Sequence, residues 1–159
     1  MNTKHALLAL ALVAGCSKSE PSSADKPAEA PAPAAKVAEP PKPTIEDTTF
    51  RLALTGAQAY EAGKLGEAQL VLEARGGYHV NQDYPLRVDV KVPAGVKLEK
   101  ASFGKPDASQ FGEERAHFVL PFKAEPGAHD LTATVDFAVC TKDTCVPDQR
   151  TVALPLAVR

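Results

Sequence analysis

From Phe50 to the C-terminus, apolar residues recur at every second position, and that period dictates what the chain can build. Phe50, Leu52 and Leu54 alternate with polar or small neighbours, as do Ala68, Leu70, Leu72 and Ala74. Leu86, Val88, Val90 and Val92 follow, with Arg87, Asp89 and Lys91 between them. Ala116, Phe118, Leu120 and Phe122 make a fourth run. Leu131, Ala133, Val135, Phe137 and Val139 make the longest, and Val152, Leu154, Leu156 and Val158 close the chain. Such alternation marks strands with one buried and one wet face. Turn residues separate the runs: Gly76-Gly77, Pro93-Ala94-Gly95, Gly104-Lys105-Pro106-Asp107 and Glu125-Pro126-Gly127. No long amphipathic helix is encoded; residues 57–64 have room for one turn. About seven to eight short strands over residues 49–159 predict an all-β, antiparallel sandwich of immunoglobulin-like type.

The stretch before this domain is different in kind. Seven of the fourteen prolines lie between Pro21 and Pro43, mixed with Ala, Lys and Glu, and no aromatic residue precedes Phe50. A segment of this composition buries too little apolar surface to offset the entropy of ordering. Residues 16–48 are therefore expected to form a disordered, Pro/Ala-rich tether, extended by about 3.1 Å per residue where polyproline-like.

Residues 1–15 read as an export signal. Lys4 supplies the basic start, and residues 6–14 form an apolar run of Ala, Leu and Val. That run is about half of the ~20 residues a membrane-spanning helix needs. It ends in Leu12-Val13-Ala14-Gly15-Cys16, which resembles the lipobox of bacterial lipoproteins. The resemblance implies cleavage before Cys16 and lipid on its thiol. Two or more acyl chains anchor a protein firmly, at about 0.8 kcal/mol per buried CH₂. The mature chain is then expected in the cell envelope, facing the periplasm, where disulfides persist. Ser17 offers no retention signal, which tilts the expectation toward the outer membrane.

Three cysteines make an odd count. With Cys16 assigned to lipid, Cys140 and Cys145 remain, separated by four residues, between the longest alternating run and the last one. A disulfide across that loop is geometrically plausible. As a staple it would constrain little, roughly 2 kcal/mol against nearly 5 for a 100-residue loop. A short loop disulfide is also open to attack, so redox use and stapling both stand at this point. Two cysteines supply only half of a structural zinc shell, and His79, His117 and His129 have no metal-like spacing, so no metal or other cofactor is expected. No Ser/His/Asp or Cys/His motif is present to suggest another catalytic chemistry. A net charge of −2 gives no footprint for nucleic acid.

Three stretches together resemble the N-terminal domain of the thiol:disulfide interchange protein DsbD. They are Gly76-Gly77-Tyr78-His79-Val80-Asn81-Gln82-Asp83-Tyr84-Pro85, then Phe103-Gly104-Lys105-Pro106, then residues 140–147, which begin at Cys140 and end at Pro147. Their order and spacing carry the likeness over roughly residues 49–159. The resemblance implies an immunoglobulin-like sandwich that acts as a component of a protein-disulfide reductase system. It would pass reducing equivalents between a membrane thiol transporter and thioredoxin-like periplasmic proteins. Cys145 would form the mixed disulfide with a partner, and Cys140 would resolve it. Phe103 would lie in or beside a cap over the pair, and Tyr78 and His79 on a strand close to the redox loop. Departures are visible too. The loop holds four residues rather than five, Pro147 stands alone, and residues 98–103 lack an acidic pair. No further domain follows before Arg159, so the electron donor is expected to be a separate protein and the direction of flow stays open.

Lys142 would favour a thiolate and Asp143 oppose it. His79 would assist if its ring reaches the pair, and otherwise fills a strand position. The other reading of the whole chain is a non-catalytic, lipid-anchored binding module with a structural disulfide.

Overall fold

A computed structural model describes residues 41–159. The expected leader over residues 1–15, the lipid site at Cys16 and most of the expected tether lie outside the described residues. The six long alternating runs all become strands: β2 Phe50–Gly56, β3 Leu65–Ala74, β5 Arg87–Lys91, β9 Arg115–Ala124, β10 Gly127–Cys140 and β11 Cys145–Val158. Five short strands complete the set: β1 Thr44–Glu46, β4 His79–Val80, β6 Val96–Leu98, β7 Ser102–Gly104 and β8 Gln110–Phe111. The eleven exceed the seven to eight expected because pieces of two or three residues show no period. One 3₁₀ turn, Lys105–Asp107, is the sole helical element among the described residues.

The strands form two antiparallel sheets. The first runs β1-β2-β3-β9-β6, with β8 also on β9. The second runs β11-β10-β5-β7, with β4 also on β10. β1 lies inside the stretch read as tether. Thr44–Glu46 pairs with Arg51–Ala53, and the Lys42 carbonyl accepts from Ala153 N–H at 3.1 Å, so the folded domain starts earlier than residue 49.

The period-two pattern does its expected work between the sheets. Leu52, Leu54, Leu70, Leu120, Val88, Leu131 and Val135 are all buried in one cluster. Phe50 of the first sheet meets Phe137 of the second edge to face, ring centroids 4.8 Å apart, a geometry that adds to simple area burial. β10 is the spine of the second sheet, flanked by β11 along fourteen opposed pairs and by β5 and then β4 on its other side. The turn into β4 uses Gly76 at φ +63°, where an added Cβ would lie 2.5 Å from the Thr48 carbonyl oxygen. Only glycine fits there, and it delivers His79–Val80 against the end of β10.

Candidate functional site

Cys140 is the last residue of β10 and Cys145 the first of β11, and the register sets them directly opposite each other. Their Cα atoms are 4.0 Å apart and their sulfurs are bonded. Directly opposed residues point to the same face of a sheet, so the hairpin itself brings the two thiols together. Thr141 shapes the connecting loop. Its N–H donates to the Thr144 carbonyl at 2.8 Å, and its hydroxyl accepts from the N–H groups of Asp143 and Thr144 at 3.3 and 3.2 Å. Hydroxyl acceptance from a following backbone N–H is the ordinary way threonine tightens a turn.

The two sulfurs live in different surroundings. Cys140 is 2% exposed, whereas Cys145 lies at the surface. Strand parity alone would leave Cys140 on the wet face, in line with Thr134 and Asp136. What covers it comes from β4 and the loop after it. His79 is the register partner of Cys140, and Asn81 N–H donates to the Ala138 carbonyl at 2.9 Å, one step further along the ladder. His79 and Asn81 therefore share the outer face with the sulfurs. The Asn81 amide nitrogen donates to Cys140 Sγ at 3.0 Å and lies 3.5 Å from Cys145 Sγ. Its amide oxygen accepts from the backbone N–H groups of Asp83 and Tyr84, at 2.8 and 3.0 Å. Two N–H donors require the oxygen on that side, which fixes the NH₂ toward sulfur.

An open cleft of about 340 Å³ runs past the disulfide, walled by His79, Asn81, Gln82, Asp83, Glu113, Cys140 and Cys145 among others. A neighbouring cleft of about 550 Å³ shares His79 and Glu113 and adds Tyr78, Glu73, Arg75 and Arg115. His79, half-buried, lines the cleft that holds the disulfide and is the register partner of Cys140, whereas Tyr78, one residue before β4, lines only the neighbouring cleft. Phe103 lines neither. It is buried in the core on β7, opposite Val88, which in turn opposes Val135, five residues before Cys140 along β10. At about 3.3 Å per residue that is roughly 16 Å along the strand from the sulfurs, too far for the ring to cap them. The residue that does touch both sulfurs, Asn81, carried no role in the sequence reading. Its only local signal was an asparagine that leaves a strand and enters a turn, which is common. Among the described residues no group of three or more His, Cys, Asp or Glu is placed to hold a metal ion.

The fold and site define a two-sheet, immunoglobulin-like sandwich that carries a disulfide in a surface hairpin, one sulfur covered and the other exposed. The chain belongs to the family of thiol:disulfide interchange protein DsbD, N-terminal, whose family model matches residues 46–157. No curated protein matches the sequence. Among solved structures, the GAE domain of GGA2p from Saccharomyces cerevisiae is similar at 9% identity and TM-score 0.45, over 70% of this chain and 96% of that one. A cohesin module from a family 33 glycoside hydrolase of Clostridium perfringens is similar at 9% identity and TM-score 0.44, over 71% of this chain and 100% of that one. Native alpha-2-macroglobulin from Escherichia coli, from domain MG7 to the C-terminus, is similar at 12% identity and TM-score 0.43, over 70% of this chain and 17% of that one. Likenesses so distant bear on no functional point.

Proposed function

We propose that this chain is a lipid-anchored, periplasmic exchange module that passes reducing equivalents through Cys140 and Cys145 to or from partner proteins. The partners are thioredoxin-like periplasmic proteins or a membrane thiol transporter. The lipobox-like end of the leader at Cys16 supports the anchor, and the Pro-rich stretch behind it supports a tether long enough to reach such partners.

The observation that carries the exchange reading is the unequal exposure of one bonded pair. A partner thiolate needs in-line access to a sulfur, and only Cys145 is at the surface. Cys145 therefore takes the mixed disulfide, and Cys140, held 2% exposed behind it, is the resolving thiol. A staple needs no such asymmetry.

The reading is tested with single variants and an oxidised thioredoxin-like protein. Cys145→Ser abolishes its reduction, and Cys140→Ser traps a mixed disulfide with it. A double variant that retains full activity refutes the proposal. A redox titration supplies the second check. Exchange proteins lie between about −180 and −270 mV, whereas a purely structural disulfide lies below about −300 mV.

A further inference from the structure

We infer that the Asn81 carboxamide is a catalytic residue of the exchange reaction, a fixed N–H donor that carries the negative charge of the sulfur leaving on Cys140. The inference rests on the exchange reading above and deepens it.

The chemistry defines where charge appears. A thiolate of an incoming protein dithiol attacks Cys145 Sγ, and a new sulfur–sulfur bond forms to that atom. The Cys140–Cys145 bond breaks, and its electron pair leaves on Cys140 Sγ. The partner's second thiol loses its proton to solvent and attacks the partner's own sulfur in the mixed disulfide. That step makes the partner's disulfide and releases Cys145 as a thiolate. Two electrons have moved; the dithiol is oxidised and the pair reduced. The same steps in reverse hand the electrons to an oxidised partner.

Cys140 is the harder place to put that charge. It is 2% exposed, so water does little to solvate the anion, and burial raises the pKa of a thiol. A leaving thiol of raised pKa departs more slowly. The Asn81 amide stands 3.0 Å from this sulfur and 3.5 Å from the other, so its closer contact is to the atom that needs it. A disulfide sulfur is a poor acceptor and a thiolate a strong one, so the bond strengthens as the reaction proceeds. A donor already aimed at developing charge acts without reorganising. The aim is fixed because the amide oxygen is held by the N–H groups of Asp83 and Tyr84 and the backbone by the Ala138 carbonyl. Other charged or titratable groups near the sulfurs are His79 on β4, Asp83 and Glu113 on the cleft walls, and Lys142 and Asp143 in the hairpin loop. None of these has a polar contact to sulfur; Asn81 has two.

Asn81 also builds a turn, so the test must separate that role. Asn81→Ser keeps a side-chain oxygen able to accept from the turn, but cannot reach the sulfurs. In the full chain, the rate of reduction of the oxidised pair by dithiothreitol is compared with wild type. The Cys140 pKa is read from thiolate absorbance in a Cys145→Ser background, with and without Asn81→Ser. The expected result is a Cys140 pKa higher by about one unit and a reduction rate lower by roughly threefold. Unchanged pKa and rate in a folded variant overturn the inference. Should the serine variant not fold, reduced wild type decides by NMR. The Asn81 side-chain NH₂ protons shift downfield as Cys140 ionises, and a resonance indifferent to that titration overturns the inference. If wild type itself does not exchange with the dithiol, the functional reading fails, an outcome distinct from failure of the asparagine alone.

Discussion

Reduction of the Cys140–Cys145 bond should leave the domain folded. The cysteines are five apart in sequence, so the bond closes a very short loop. The chain-entropy relation gives about 2 kcal/mol for so short a loop, against about 4.7 for a 100-residue one. That term acts on the unfolded chain, and in the folded one thirteen further opposed pairs hold β10 and β11 in register without the bond. For a domain of this size, 1 kcal/mol moves Tm by about 4 °C, so reduction should lower Tm by about 8 °C. By linkage, 2 kcal/mol corresponds to about 45 mV between the folded pair and the same loop in the unfolded chain. A module that alternates between dithiol and disulfide needs both states folded, and these magnitudes allow it. The assay is a thermal melt by circular dichroism with and without excess dithiol, with thiol content counted at the end of the scan. A Tm loss well above 15 °C, or unfolding at room temperature on reduction, would refute the reasoning and mark the bond as a staple.

Three further outcomes follow from named residues. In the reduced protein, iodoacetamide should label Cys145 well before Cys140, as read by peptide mass spectrometry, because one thiol is at the surface and the other is covered. Phe137→Ala should cost roughly 3–5 kcal/mol in urea unfolding, since that ring is fully buried and packs edge-on against Phe50 across the two sheets. Asp107→Asn should destabilise the fold at neutral pH and not in strong acid. The Gly104 N–H, followed by Lys100, holds the Asp107 carboxyl below its ordinary pKa, so its stabilisation is present above the unfolded pKa and is lost as pH falls through the lowered folded value. Melts of both forms across an acid series should converge at the low end.

The long strands were legible because each repeats its period at least twice. Phe50, Leu52 and Leu54, or Val88 and Val90, can face a core only in one register, and the structure keeps that register. The two-residue strand His79–Val80 repeats nothing, yet it pairs with the end of β10 at Cys140. Thr44–Glu46 was hidden for another reason: it follows a proline-rich run and offers a single apolar residue, Ile45. The cysteine pair was legible from spacing, but its asymmetry was not, because alternation alone puts Cys140 with Thr134 and Asp136 on the wet face. Tertiary placement of Asn81 reverses that assignment. Phe103 fails in the opposite sense. The family resemblance implies a place in or beside a cap over the pair, whereas pairing with Val88 puts the ring into the core.

The unequal sulfurs can be traced to the positions of their strands in the sheet. β10 is interior, with β11 on one side and β5 and β4 on the other, so Cys140 has neighbours in both directions. β11 is the edge strand, and from Cys145 to Thr151 most of its residues are exposed. Two prolines lie within β11, at Pro147 and Pro155, and neither has an N–H to offer a ladder. On an edge the missing donor faces outward and also blunts pairing with foreign strands. Pro147 sits two residues after Cys145 and therefore on the same face. The edge near the exposed sulfur is thus open to an approaching thiolate but unsuited to continuous strand addition. A hairpin whose inner strand ends at one cysteine and whose edge strand begins at the other produces a covered thiol and an accessible one from a single turn. Exchange chemistry at this site then needs no separate domain to distinguish the two sulfurs: sheet order makes the distinction, and Asn81 sits where the covered sulfur must hold charge.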